Sequence, residues 1–274
     1  MAPTVASGRW RHAPTLSAVD ISLPVSLRLA WWGTSWLRGH LSPDELLDGV
    51  LGHGMAADAV HTVAGLAALG LGGPEGSQPL LTGLGRLRAE GATSYGAAYP
   101  VEGDLVGLGG PPDLNAAAID EGEAVIVAGS TGATVGLVPV RVGASVTWTA
   151  YAARRRQLPD VGDADRALRA ALPRAADTLA ALDVARWRPE VADLLMNLRH
   201  RDPVDAPPGV PSRCLDLAGR ALHLAAVVEL ALVDDGGSVT AAEMSARRAA
   251  LSDLARATRH ALTAAASPDA WPPG

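Results

Sequence analysis

The sequence contains no lysine, so all 23 of its basic residues are arginine. This absence excludes several enzyme classes whose chemistry needs a lysine side chain. A Walker-type P-loop uses lysine to reach the phosphates of its nucleotide, and pyridoxal phosphate and aldolase enzymes use lysine to form a Schiff base. Protein kinases and Ser-x-x-Lys acyl transferases are excluded on the same ground.

The sequence also lacks phenylalanine and has a single cysteine, Cys214. Seven tryptophans therefore supply the aromatic bulk of the core. One cysteine forms no intramolecular disulfide, so the chain needs no oxidising compartment. Residues 1–17 lack the apolar segment of a secretion signal, and the most apolar run, residues 221–233, is too short to span a membrane. We expect a cytoplasmic protein without a membrane segment.

The charge balance also limits the partners of the chain. The net charge of −6 argues against nucleic-acid binding, which needs a basic surface. Hydrophobic residues make up 48% of the sequence and charged residues 19%, a composition typical of a folded protein.

The N-terminal third has the periodicity of helices. Val25, Leu29, Trp32 and Trp36 share one helical face. The segment starting at Ser42-Pro43-Asp44-Glu45 combines an N-cap, a proline at the first helical position and acidic residues in the first turn, which predicts a second helix to about residue 51. Residues 80–90 have the pattern of a further helix.

The middle of the chain is rich in β-forming residues. Residues 123–128, 134–142 and 145–152 are predicted strands, and residues 95–108 add one or two more. The two-residue loop Gly143-Ala144 has glycine first, which favours a type II′ hairpin. Such short links require antiparallel pairing. Pro139 interrupts its strand and predicts an edge position or a bulge there.

The last third is predicted to be helical over residues 168–182, 189–199, 215–232 and 240–266. We therefore predict an α+β fold, in which N-terminal and C-terminal helices pack an antiparallel β-meander of at least three strands. The expected organisation is an α+β core at residues 15–202, a proline-rich connector at 203–211 and a helical hairpin at 212–266 that packs on the core, together forming one compact domain.

Motifs for chemistry are weak. His40, His53 and His61 lie among acidic residues, but their spacing places no two imidazoles on one helical turn, so we predict no metal site. Residues 128–132 come close to the Gly-x-Ser-x-Gly nucleophile elbow, but strand-forming residues follow where the elbow requires a helix. Cys214 is interpreted as a small buried hydrophobe rather than a reactive thiol.

Five residues remain as candidates for ligand binding: His40, His61, Trp32, Arg154 and Glu229. Arg154 begins the run of residues 154–156, which is otherwise typical of a solvated loop. Glu229 falls on the apolar arc of its helix with Leu222 and Ala225, so we expect it to be buried and paired with Arg247, Arg248 or Arg256. No residue is predicted to be catalytic and no cofactor is expected.

Three stretches carry a resemblance to known proteins. They are AWWGTSWLRG at residues 30–39, RRQLPDV at 155–161 and DVARWRPE at 183–190. The sequence resembles an uncharacterised actinobacterial protein family of similar length. That resemblance implies no activity, ligand or site residue.

Two functions follow as hypotheses. The preferred one is a non-catalytic interaction, scaffold or regulatory protein that acts through an unknown protein partner or through homo-oligomers. The alternative is a small-molecule-binding protein or enzyme with its site between the β-meander and the tryptophan-rich helices. A polar pocket would favour the alternative, and a flat apolar patch would favour the first.

Overall fold

The computed structural model describes residues 23–52, 60–130, 134–154, 156–181, 204–233 and 241–272. Within them the chain forms seven α-helices and six strands, which confirms the α+β class. The helices are α1 Val25–Leu37, α2 Pro43–Leu51, α3 Leu80–Ala89, α4 Pro112–Glu121, α5 Val161–Ala181, α6 Ser212–Val233 and α7 Ala241–Ala265. The strands are β1 His61–Ala64, β2 Gln78–Pro79, β3 Ala92–Ala98, β4 Ala124–Gly129, β5 Thr134–Val142 and β6 Ser145–Ala153.

The strands form one mixed sheet in the order β2-β1-β6-β5-β4-β3. The four strands β3 to β6 are the predicted antiparallel meander. The sheet is nevertheless more than a meander, because β1 lies parallel to β6, with His61 opposite Val146. The long chain between β1 and β6 makes this parallel pairing possible, since a parallel connection needs a dozen residues or more.

The hairpin between β5 and β6 forms at the predicted position. Val142 pairs with Ser145, and Gly143 has the positive φ of 57° that a two-residue hairpin loop requires. Pro139 lies in β5 opposite Trp148, beyond Leu137, where the pairing of β5 with β4 stops. Proline is tolerated there because the strand is locally an edge on that side.

The two faces of the sheet carry separate apolar cores. One face, here called the main face, packs against α1, α3 and α7 and carries side chains such as Val125, Leu137 and Trp148. The opposite face is covered by α4 through Leu114 and its neighbours. The strict alternation of each strand assigns its residues to one face or the other.

The three tryptophans of α1 are buried, and two of them, Trp32 and Trp36, lie on the predicted helical face. Trp31 is completely buried and donates its indole N–H to the carbonyl of Ala265 at 3.1 Å. The same carbonyl accepts the indole N–H of Trp271 at 2.9 Å. The end of α7 is therefore attached to α1 as well as to the segment that follows it.

The outer edge of β3 is occupied rather than open. The Thr34 hydroxyl of α1 donates to the Tyr95 carbonyl at 3.0 Å and accepts the Tyr95 N–H at 2.9 Å. Farther along, the Ala97 N–H donates to the Ala266 carbonyl at 3.2 Å. Side chains and the segment after α7 thus replace a neighbouring strand.

The C-terminal helices largely follow the prediction. α5 continues through Pro173, and both α5 and α6 pack against α7. Residues 204–211 of the connector have no helix or strand. The predicted helix at 189–199 and the first residue of the predicted last helix, Thr240, lie outside the described residues. Strand structure at 95–108 is shorter than expected, because β3 ends at Ala98.

No helix in the described part of the chain combines the length and the apolar character that crossing a membrane requires.

Candidate functional site

Polar side chains of the main face gather at one end of the sheet. At this end of the sheet, β3 and β5 finish and β4, β6 and β1 start. Near this end, or one residue outside it, each of these strands places a polar side chain on the main face. The first turns of α1 cross this end and add two more polar residues. We call this group the sheet-end cluster: Ser26, Arg28, His61, Tyr99, Glu123, Arg141 and Trp148.

Glu123 is the acid of the cluster, and both of its oxygens are occupied. Oε2 accepts the Ser26 backbone N–H at 3.1 Å and the Ser26 hydroxyl at 2.7 Å. Oε1 accepts from the Arg141 guanidinium at 3.4 Å. The carboxylate thereby satisfies one of the N–H groups that a helix leaves free in its first turn.

Arg28 adds a positive charge that this carboxylate does not pair with. Its Nε is buried and has no hydrogen-bond partner within the described residues. Burial lowers the pKa of Arg28, the nearby charge of Arg141 lowers it further, and Glu123 acts in the opposite direction. A Cβ at Gly52 would lie 2.3 Å from one Arg28 nitrogen, so the glycine that ends α2 makes room for the guanidinium.

His61 and Trp148 form the neutral part of the cluster. Their ring centroids are 6.3 Å apart, with the ring planes inclined at 63°. His61 is 8% exposed and Trp148 is fully buried, and neither His61 Nδ1 nor Trp148 Nε1 has a hydrogen-bond partner in the described segments. Burial lowers the pKa of His61 to about 4, and the charges of Arg28 and Arg141 act in the same direction. The imidazole is therefore neutral at pH 7.

Tyr99 closes the cluster on the β3 side. Burial raises the pKa of its hydroxyl, while the neighbouring Ser26 hydroxyl lowers it and Glu123 raises it. The contact with Ser26 lacks the geometry of a full hydrogen bond, so the Tyr99 hydroxyl stays without a partner among the described residues. The cluster as a whole holds two guanidiniums against one carboxylate, with more donors than acceptors.

Comparison with known proteins assigns this chain to a family. Models of the Rv1486c-like protein match it twice, with the N-terminal domain over residues 26–161 and the C-terminal domain over residues 162–263. The chain belongs to the Rv1486c-like family. The boundary between the two matches falls at the start of α5.

Two mycobacterial relatives support this assignment. The chain is 32% identical to the uncharacterised protein Rv1486c of Mycobacterium tuberculosis (strain ATCC 25618 / H37Rv), an alignment that covers 74% of this chain and 81% of that protein. It is 29% identical to the uncharacterised protein ML1804 of Mycobacterium leprae (strain TN), covering 90% of this chain and 98% of that protein. No solved structure matches the chain. The relatives confirm the predicted resemblance to an uncharacterised actinobacterial family.

Of the five predicted ligand-binding residues, His61 belongs to the sheet-end cluster of this Rv1486c-like chain. Trp32 lies one helical turn after Arg28, but its ring packs against Gly49, where a Cβ would come within 1.9 Å of the indole. Trp32 therefore has a structural role in joining α1 to α2.

His40 and Arg154 lie away from the cluster. His40 is exposed and contacts Gly209 in the connector. Arg154 is exposed and follows the far end of β6, roughly 25 Å along the strand from the row of His61. Its neighbour Arg156 departs from the predicted solvated loop, because it donates to the Gly96 carbonyl at 3.3 Å and burial lowers its pKa to about 10, against the influence of Asp269.

Glu229 meets only part of its prediction. It is half-buried in α6, and burial raises the pKa of its carboxyl group. The predicted arginine partner is wrong: within the described residues no base pairs with Glu229, and Arg247 donates instead to the Ala231 carbonyl at 2.7 Å. A helical wheel gives the face of a residue, but it ignores the free carbonyls near a helix end, which compete for the same guanidinium.

Two of the weak motifs, Cys214 and the Gly-x-Ser-x-Gly-like stretch, behave as predicted. Cys214 is fully buried, and burial raises the pKa of its thiol to about 11, which outweighs Arg213. β4 leads into antiparallel β5, so residues 128–132 lack the strand–turn–helix context of a nucleophile elbow. Among the described residues no group of three His, Cys, Asp or Glu side chains is placed to hold a metal ion, and His53 lies outside them.

The sequence held a signal for the cluster that our reasoning missed. Along β4 and β1, the apolar main-face series continues by two residues to a polar side chain: Val125 to Glu123, Val63 to His61. The polar residue that ends such a series, rather than the apolar positions within it, marks the cluster. Arg28, the one charged residue in the sequence of α1, was a second unused signal.

Proposed function

We propose that the protein is a non-catalytic binding protein that holds the phosphate group of a small molecule in the sheet-end cluster. The observation that carries this proposal is a set of three buried nitrogen atoms without hydrogen-bond partners, two of which can only donate, beside the positive charge of Arg28. Arg28 Nε, His61 Nδ1 and Trp148 Nε1 form this set within the described residues.

The supply of donors favours an acceptor as the missing partner. Arginine and indole nitrogens can only donate hydrogen bonds, and a neutral imidazole donates from one of its two nitrogens. A buried donor without a partner costs about 1–3 kcal/mol. A phosphate group, with several acceptor oxygens, would relieve this cost at more than one donor.

The charges favour an anion over a neutral acceptor. Arg28 and Arg141 outnumber Glu123, whose two oxygens are already engaged by Ser26 and Arg141. Both guanidiniums stay partly exposed, and the Arg141 side chain has 37% of its surface accessible, so an anion can reach them from solvent. Arginine beside a dry, donor-rich surface is the usual arrangement for binding phosphate.

The same geometry argues for binding rather than catalysis. The Ser26 hydroxyl, which lies beside the carboxylate of Glu123, donates to it at 2.7 Å. Both the hydroxyl and the backbone N–H of Ser26 are thus engaged by Glu123, where they support the first turn of α1. We therefore expect a ligand to be held and released unchanged.

The test is a titration with inorganic phosphate, followed by the melting temperature and by ¹⁵N NMR of the indole N–H groups. We expect the melting temperature to rise and the Trp148 signal, assigned with Trp148→Phe, to shift more than the other indole signals. Stabilisation of this kind follows from binding to the folded state alone.

Arg28→Gln and Arg154→Gln form the matched pair of variants, because Arg154 lies at the opposite end of the sheet. Arg28→Gln should abolish the phosphate response and Arg154→Gln should retain it, with sodium chloride at equal ionic strength as the reference. A Trp148 signal that does not move in the unmodified protein, or a response that both variants keep, would refute the proposal.

The preferred interpretation from the sequence, an interaction, scaffold or regulatory protein, stays a prediction. Ligand binding in the cluster fits the alternative interpretation, since the cluster lies between the meander and the tryptophan-rich α1. A cytoplasmic location likewise stays a prediction from the sequence.

A further inference from the structure

A concave site lies between α5 and α7, and it shares no residue with the sheet-end cluster. Its volume is about 390 Å³, in the lower part of the range of pockets for small molecules. Alanines of both helices, such as Ala171 and Ala257, line it, and their short side chains leave the space open. Its polar lining comes from Arg174, Asp253, Arg256 and His260.

His260 is held in a fixed position on the wall of this cleft. Its Nε2 lies 3.0 Å from Asp104 Oδ1, and Asp104 Oδ2 accepts from Arg259 at 2.8 Å. The backbone of Asp104 is itself fixed by mutual hydrogen bonds with Val101 at 2.9 and 3.0 Å. An imidazole oriented in this way from behind is typical of binding and catalytic sites.

The carboxylate also determines which ring nitrogen is available. Burial raises the pKa of Asp104, but the hydrogen bonds from Arg259 and His260 outweigh burial, so the group stays ionised. An ionised carboxylate can only accept, so Nε2 of His260 carries a proton. In the neutral ring Nδ1 is then an acceptor, and it makes no hydrogen bond within the described part of the chain.

Arg256 lines the same cleft as His260. It precedes His260 by four residues on the same helix, so the two side chains share one face. Its side chain is exposed and makes no ion pair with the described residues. The cleft is therefore lined by a guanidinium that can bind a carboxylate and, one helical turn along α7, by a histidine whose Nδ1 can accept one hydrogen bond.

We propose that the cleft between α5 and α7 binds a small hydroxycarboxylic acid. The carboxylate pairs with Arg256, the hydroxyl donates to His260 Nδ1, and the short carbon chain lies on the alanines. The site is independent of the phosphate-binding function proposed above, because the two sites share no residue.

The test compares hydroxy acids with their deoxy analogues by isothermal titration calorimetry: lactate with propionate, 3-hydroxybutyrate with butyrate, and malate with succinate. We expect at least one hydroxy acid to bind at least tenfold more tightly than its analogue, because the analogue leaves His260 Nδ1 without a donor. NMR signals of the His260 ring should shift during the same titration.

Arg256→Gln should weaken binding at least tenfold, whereas Arg248→Gln, an exposed arginine on the same helix outside the cleft, should leave it unchanged. Arg28→Gln should also leave it unchanged, which separates failure here from failure of the phosphate site. The proposal is overturned if none of the three hydroxy acids binds, if each binds no more tightly than its analogue, or if Arg256→Gln and Arg248→Gln behave alike.

Discussion

The depressed pKa of His61 makes stability depend on pH in a way that one substitution can isolate. The imidazole is neutral in the folded protein down to about pH 4, whereas in the unfolded chain it gains a proton near its ordinary value of about 6.5. Between these values the unfolded state binds more protons than the folded state. Stability attributable to His61 is therefore fully present above pH 6.5 and is lost as the pH falls towards 4.

The size of the effect follows from the two pKa values. By linkage, a base with a pKa of about 4 folded and about 6.5 unfolded loses about 2 kcal/mol of unfolding free energy between pH 8 and pH 5. The loss reaches about 3 kcal/mol below pH 4. Phosphate bound beside His61 would favour the protonated ring, so the loss should be smaller when phosphate is present.

Urea unfolding at pH 8 and pH 5, in buffers free of oxyanions, measures this loss directly. His61→Gln cannot take up the proton, so its free energy should fall by about 2 kcal/mol less than that of the unmodified protein over this interval. His40→Gln, which changes an exposed histidine, is the matched control and should follow the unmodified protein. Equal losses for the unmodified protein and His61→Gln would refute the reasoning.

Two further predictions concern packing and cooperativity. Gly49→Ala should destabilise the protein by about 1–3 kcal/mol, because its Cβ would come within 1.9 Å of the Trp32 indole. Gly85→Ala in α3 should instead stabilise the protein by about 0.5–1 kcal/mol, because no atom lies within 4 Å of its Cβ. Chemical denaturation measures both changes, and equal effects would contradict this expectation. The ion pair between Asp104 and Arg259 joins the two family matches, and the Trp31–Ala265 and Ala97–Ala266 hydrogen bonds tie the N-terminal match to the residues just after the second one. We therefore expect calorimetry to show one unfolding transition, as the predicted single compact domain requires, and two separate transitions would contradict it.

The elements with strong local patterns were predictable from the sequence. The Ser42–Glu45 capping box forms as expected, with the Ser42 N–H donating to Glu45 at 2.7 Å. The α1 face and the hairpin at Gly143 also follow from short-range patterns of residues. In each case the determining contacts lie within a few residues of one another, so the sequence alone contains them.

The parts that failed depend on contacts between distant residues. β1 joins β6 across more than 80 residues. β1 has only four residues, and only two of them lie on the main face, so its alternation is too short to predict a strand. The sheet-end cluster brings together Ser26 and Glu123, which are 97 residues apart. The expected partner of Glu229 was wrong for a related reason, since a helix carbonyl held Arg247.

The closed edges of the sheet restrict how copies of this chain can associate. On one side, Thr34 and the Ala266 carbonyl already occupy the hydrogen-bonding groups of β3 at Tyr95 and Ala97. On the other side, β2 is two residues long and ends in Pro79, which has no N–H to offer. Within the described residues a second molecule therefore finds no free strand to extend, and a dimer built by continuing the sheet is disfavoured. If the protein forms homo-oligomers, their contacts must come from helices and side chains, and loss of the residues after α7 would remove this protection and favour aggregation through β3.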